Sequence, residues 1–485
     1  HRELALSVEG MTDLVLDGTA DVASAAAFLG STQQYPHLVG LQPDLYRCFM
    51  EQTWRHAKTA SVNDESTGSV GLIHLESHFT DEKAGRLRAE TYHRLRRHWQ
   101  LQNELKLFDD THHDMKPFGV NVYGERRRPN FIQSVALSHP DTVVRSLEHD
   151  GSGTEPGLKD PDGHWDLRPH ASRIQQVDLD VLGTWHAVLE PRGVPIDQSR
   201  MVYTVNRSTA AVLSKLSAAP RMGSLALQFS RGWDESIDRK KGYFDADWGV
   251  PESWDSVILQ GPHLYVATPL YKTPNASMLH NQDWSATDFE ALDDDAIPAT
   301  SYKPIGDQGR YDSSYTHWTD AAGTRVSARR CYRVAYRAMA ANKNERTLIA
   351  AIIPPGTSHI NGVFSFGAPG MAAQTLALVA ASAGSLIADF AVRAAPKSGI
   401  YQGVFERLPF ARASELRSAI LLRILRLNCV TVAFESLWSE CFDPSFTKDD
   451  WTGPPTSAAR PRLGEVEGSW TRQTPLRIAA DRRQA

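Results

Sequence analysis

The sequence predicts an α/β protein in which half of an α/β sheet is followed by a mixed α+β segment and a helical support. Three observations predict this. From Asp44 to Leu137 the order helix, strand, helix, strand, strand suits half of a sheet ending in a hairpin. From Arg325 to Ile353 two strand-like stretches carry a concentration of arginine. From Ala372 to Leu427 two apolar helical stretches flank a Leu408-Pro409 turn. A chain of 485 residues accommodates two or three domains, each able to bury its own core.

In order, residues 1–40 combine a short apolar strand, Leu14-Val15-Leu16, with an Ala-rich stretch over 22–29. Asp44 is placed to cap a helix whose apolar stripe is Leu45, Phe49 and Trp54. The run Val70-Gly71-Leu72-Ile73-His74 reads as a buried strand. A long amphipathic helix is expected over 82–102, with Leu87, Tyr92, Leu95 and Trp99 on one side. Residues 119–123 and 131–137 read as two strands joined by the polar turn Gly-Glu-Arg-Arg-Arg-Pro-Asn. A Gly-, Asp- and Pro-rich linker follows over 151–163, then a helix over 208–217 and an acidic stretch over 283–295. Helices are expected over 372–393 and 414–427, the second with Ser414 as a cap.

The formal net charge of -5 does not describe a protein that coats nucleic acid indiscriminately, although a local basic surface remains compatible with it. Cys48, Cys331, Cys429 and Cys441 are scattered without metal-ligand spacing, and a reducing cytoplasm is the expected location. No apolar run reaches the roughly 20 residues of a membrane span, and no signal-peptide pattern opens the chain. A Gly-x-Ser-x-Gly elbow, a Walker loop and a paired nuclease motif are all lacking. His74-Leu75-Glu76-Ser77-His78 has the wrong order for a zinc hydrolase, so no metal site is assigned, and His112-His113 reads as part of a loop.

Positive charge is concentrated over 321–350, where Arg325, Arg329, Arg330, Arg333, Arg337, Lys343 and Arg346 face one acid, Glu345. Tyr332, Val334 and Tyr336 alternate with Arg333 and Ala335, which predicts a strand with one buried face and guanidinium groups on the open one. Residues 347–353 predict a second strand, stopped by Pro354-Pro355-Gly356. Such a ribbon suits phosphate oxygens or guanine edges, and it equally suits a solvated surface over a buried strand.

The run Tyr332-Arg333-Val334-Ala335-Tyr336-Arg337, continued by Asn344-Glu345-Arg346-Thr347-Leu348-Ile349-Ala350-Ala351-Ile352-Ile353-Pro354-Pro355-Gly356, closely resembles the target-recognition region of large adenine-specific DNA methyltransferases. These are the type IIG restriction-modification enzymes and the related BREX- or DISARM-like phage-defence methyltransferases. Asp44-Leu45-Tyr46, Gly71-Leu72-Ile73-His74 and Asn121-Val122-Tyr123-Gly124 are similar to the second half of their catalytic fold. Neither their Phe-x-Gly-x-Gly cofactor loop nor their Asn-Pro-Pro-Tyr tetrapeptide occurs here.

The resemblance implies an incomplete Rossmann-like half-domain over 1–150 and a connecting segment over 151–220. It implies a target-recognition domain over 221–371, a helical support over 372–440, and a tail over 441–485 that relatives continue. It also implies methyl transfer from S-adenosylmethionine to adenine in double-stranded DNA, with this chain inactive alone and dependent on the missing catalytic half or other defence-system subunits. Tyr123, with Phe118 in reserve, becomes the aromatic ring against which a flipped base stacks, since unstacking needs new π contacts; a tyrosine packed at a strand end is the plain alternative. Arg126, Arg127, Arg128, Arg329, Arg330, Arg333, Arg337, Lys343 and Arg346 become the DNA-binding set. Arg393, Lys397, Arg407 and Arg412 form a second basic cluster that fits the same backbone or an ordinary surface. A non-catalytic DNA-binding specificity subunit, or an interaction module of a defence complex, is the alternative function.

Overall fold

The computed structural model describes residues 4, 6–62, 64–106, 117–191, 193–278, 282–340, 344–394, 399–410, 415–454 and 460–485. They form a mixed α/β structure in two compact units, His1–Ala218 and Ala219–Ala485.

The first unit opens with helix α1 (Met11–Leu29), which takes the place of the expected strand at Leu14-Val15-Leu16 and buries none of its residues. Helix α2 (Leu45–His56) begins where expected, but Asp44 makes no side-chain cap. Its inward face is Cys48, Met50 and Trp54, while Leu45 and Phe49 point outward, 59% and 62% exposed. Strand β1 (Val70–Leu75) and helix α3 (Gly85–Arg94) follow. The helix expected to reach residue 102 stops at Arg94, and Leu95–Leu101 is strand β2. Strands β3 (Phe118–Tyr123) and β4 (Asn130–Leu137) pair with β2 on its two sides, and that pairing overrides a local helical pattern.

With β5 (Gln175–Asp178) the sheet order is β1-β3-β2-β4-β5. Strand β3 runs antiparallel to both β1 and β2, β2 is parallel to β4, and β5 is antiparallel to β4. The expected hairpin between 119–123 and 131–137 therefore does not form, because β2 lies between those strands. Trp54 of α2 packs on the sheet face that carries Tyr123. On the other face Leu101, Phe118 and Leu137 cluster with Val143 of helix α4 (Pro140–Leu147), and farther along that face Ile73 and Leu75 are 59% and 38% exposed. The outer edge of β1 is unpaired among the described residues. Helix α5 (Leu179–Leu189) is capped by Asp178, and helix α6 (Arg207–Ser217) by an Asn206 capping box.

The second unit contains strand β6 (Gln228–Ser230), the hairpin β7 (His317–Thr319) and β8 (Arg325–Ser327), and strands β9 (Arg333–Arg337), β10 (Ala350–Ile353) and β11 (Val363–Gly367). The last three join β6 in a sheet of order β10-β9-β11-β6. Val334, Tyr336, Ile352 and Phe366 pack on helices α7 (Ala373–Gly384) and α9 (Arg417–Asn428), while Ala335, Ala351 and Ile353 pack on Val257, Leu259 and Leu264. Both faces of this sheet are thus covered, and β9 lacks the open face that its alternation predicts.

The helix expected over 372–393 bends by 56° between α7 and α8 (Leu386–Ala394). Among the described residues no single helix is long and apolar enough to cross a membrane. The tail is part of this unit's core: Leu463 and Leu476 are buried in it, and the buried Arg426 donates to the carbonyls of Leu463, Gln473 and Thr474 at 2.7–2.9 Å. The acidic stretch is held as well, Asp294 pairing with Arg472 at 2.9 Å and Arg477 at 3.1 Å.

Candidate nucleic-acid interface

The arginines of the basic ribbon divide by surroundings. Arg333 is fully buried, with its guanidinium donating to the Thr357 carbonyl and lying 3.4 Å from the Tyr315 hydroxyl and from Ser365 Oγ. Arg329 is 3% exposed; its Nε donates to the Gly356 carbonyl at 2.8 Å, and the group also engages Asp312 and stands over the Tyr311 ring. Burial lowers the pKa of Arg329, and contact with Tyr311 and Asp255 partly offsets that. Gly356, at φ +87°, supplies the turn that aims this carbonyl inward, a conformation that favours glycine. Arg337 donates to the carbonyls of Gly261 and Leu264 at 2.8 and 2.5 Å. Arg346 donates to those of Gly384 and Ser385 at 2.7 and 3.1 Å and lies 3.6 Å from Asp389.

These four arginines brace the interior, which corrects the expectation that they stand on an open face. Their alternation with apolar residues looks like an amphipathic strand, but the inward cations are satisfied by turn carbonyls whose positions no local pattern reveals. Arg330 is the member left free: its exposed side chain bonds no other described residue, as is also true of the exposed side chain of Arg325 on β8, whose backbone pairs with Thr319. Lys343 lies outside the described residues, as do His112, His113, Lys397, Arg412 and Ser414. In the second basic cluster, Arg393 is paired with Asp389 at 2.8 Å.

In the first unit the basic turn is open. Arg126 pairs with Glu90 at 3.2 Å, Arg127 donates to the Asn130 carbonyl at 2.8 Å, and the exposed Arg128 side chain has no partner among the described residues. Arg127 and Arg128 line a cleft of about 350 Å³ with Pro129, Asn130, Asp178, Leu179 and Asp180. Two guanidiniums and the carboxylates of Asp178 and Asp180 line the same cleft, so its formal charge balances. No cofactor site is assigned to these residues and no chemical step is routed through them.

Tyr123 is fully buried. Its hydroxyl lies 2.7 Å from His74 Nε2, its ring meets Trp54 edge-on at 5.4 Å, and His74 is in turn stacked on Tyr46 at 5.6 Å. Burial drives the phenol pKa well above its ordinary value and the His74 pKa below its own, so both are neutral at pH 7. Phe118, five residues earlier on the same strand, lies on the opposite sheet face in the cluster with Leu101 and Leu137. Neither ring has an exposed face for a base in this conformation. Of the three residues His74, Glu76 and His78, His74 faces the Tyr123 hydroxyl, Glu76 Oε2 meets His98 and Tyr203, and His78 is packed on Phe79. A group the sequence reading passed over is the exposed loop Asp160, Asp162 and His164, whose alternating spacing brings three ligand-type atoms within 4.8 Å of one another.

No family model and no curated protein matches the chain.

Proposed function

We propose that this chain is part of a site-specific adenine DNA methyltransferase of the restriction-modification or phage-defence kind, and that this portion binds and reads duplex DNA. The resemblance of the segment from Tyr332 to Gly356 supports this. The geometric observation that carries it is the first unit's sheet, in which β3 runs antiparallel between the mutually parallel strands β1 and β2 while the outer edge of β1 is unpaired among the described residues. That is the form expected of half a catalytic sheet whose other half pairs along β1. The exposed Leu45, Phe49, Ile73 and Leu75 are apolar surface for the same partner.

In this reading S-adenosylmethionine supplies the methyl group and is held by the catalytic half. This chain's own work is electrostatic and positional. Arg325 and Arg330 in the second unit, and Arg127 and Arg128 in the first, replace the buried arginines as the groups that meet phosphates or base edges. The assay is transfer of labelled methyl groups from S-adenosylmethionine to a mixed duplex library, with the chain alone and with a catalytic half containing the Phe-x-Gly-x-Gly and Asn-Pro-Pro-Tyr motifs. Transfer only by the pair, at one sequence, is expected. Transfer by the chain alone refutes the division of labour, and none by either preparation refutes the enzyme reading.

The burial of Tyr123 favours a second reading, a non-catalytic specificity subunit, because a ring held by His74 and Trp54 offers no stacking face. Sequence-specific retention on DNA that is indifferent to S-adenosylmethionine distinguishes it.

A further inference from the structure

Behind Tyr123 the buried face of the first unit's sheet is polar where a face under helices is ordinarily apolar. His98 is the register partner of Asn121 on β3 and of Gln133 on β4, so the three side chains form a row across adjacent strands. Glu76 closes the row from the end of β1, with Oε2 lying 2.9 Å from His98 Nε2 and accepting from the Tyr203 hydroxyl at 2.8 Å. Its other oxygen, Oε1, both ends of the Asn121 amide, Gln133 Oε1 and His98 Nδ1 are buried and meet no partner among the described residues. Gly119 lets this row close in: the space a methyl group there would take is filled by Glu76 Oε1 and lies 2.7 Å from Asn121 Nδ2. Folded proteins pair nearly all such atoms, either internally or with a bound guest.

We propose that this row is a closed binding site for one small guest that presents a positive pole, either water or a water-sized monovalent cation. Glu76 Oε1, the Asn121 carbonyl oxygen and Gln133 Oε1 are its acceptors. The carboxylate and two amide oxygens exclude an anion, and the burial of Glu76, His98, Asn121 and Gln133 excludes anything larger. The site is independent of the methyltransferase reading.

The test is a crystal of the full chain soaked in thallium(I), read by anomalous scattering. A thallium peak at Glu76 Oε1 identifies a cation site, and ordered solvent density bridging Glu76 and Asn121 without thallium identifies water; either upholds the proposal. A guest-free row in which Glu76, Asn121 and Gln133 turn to bond one another overturns it. In solution Asn121→Leu reads the same question by sign. With a guest bound, the variant loses one of the guest's ligands and its Tm falls by several degrees. In a dry row, removing two unpaired polar atoms leaves Tm unchanged or raises it, which overturns the proposal.

Discussion

Arg333 presses its guanidinium against the Thr357 carbonyl with no exposed surface, whereas Arg330, three positions earlier, is open to solvent. Their substitutions should therefore separate stability from binding. Arg333→Met is expected to cost about 2–4 kcal/mol of stability, from lost hydrogen bonds and an imperfectly filled core, while the folded fraction binds duplex DNA as before. Arg330→Ala is expected to change stability by no more than about 0.5 kcal/mol. It should weaken duplex binding and make the salt dependence shallower by about one counterion. Urea titrations and fluorescence anisotropy at several salt concentrations check both. Tyr123→Phe removes the hydroxyl facing His74 Nε2 and should cost about 1–3 kcal/mol by leaving a buried imidazole nitrogen unpaired. At this scale the sequence disclosed which residue types mattered and not which way they faced. Arg329, Arg330, Arg333 and Arg337 look alike in a charge pattern, and only the arrangement of distant carbonyls at Gly261, Gly356 and Thr357 tells them apart.

Strand β1 carries no charge, proline or bulge along its free edge, the devices by which edge strands ordinarily resist pairing. Ile73→Lys should leave the fold within about 0.5 kcal/mol, since Ile73 is already 59% exposed. It should also abolish assembly with a strand-donating catalytic half in sedimentation velocity. Unchanged assembly would remove β1 as the joining edge. Element existence was mostly legible: α2, β1, β4, α6 and the two strands of the basic ribbon lie near their expected positions, although Asp44 does not cap α2, Leu45 and Phe49 of its expected stripe face outward, and β1 is not the buried strand expected. Strand β2 was not, because its inward positions His98 and Gln100 are polar and Leu95 and Trp99 continue the spacing of α3. Helix α1 was misread for a related reason: with nothing packed on Leu14, Val15 and Leu16, no burial pattern marks them as helical.

Across the whole molecule, two buried histidines are expected to weaken the second unit at acid pH. Burial pushes His263 down to about 4 and His359 down to about 3, from an ordinary value near 6.5. The unfolded chain therefore binds more protons below about pH 6.5, so stability is full above that value. It falls as pH drops toward 4, with a slope approaching about 1.4 kcal/mol per unit for each histidine. Hydrogen exchange over residues 257–265 and 357–366 should accelerate between pH 7 and pH 5, and the double variant His263→Gln and His359→Gln should flatten that response.

The tail adds a constraint in time. Arg472 and Arg477 hold Asp294, Arg426 is satisfied by carbonyls at 463, 473 and 474, and Arg482 donates to Leu427 and Leu476 at 2.7 Å. A nascent polypeptide therefore carries the second unit's sheet and helices out of the ribosome long before the groups that lock them have been translated. Until residues 472–482 clear the exit tunnel, the carbonyls and carboxylate they satisfy, and part of the surface of α9, wait unpaired.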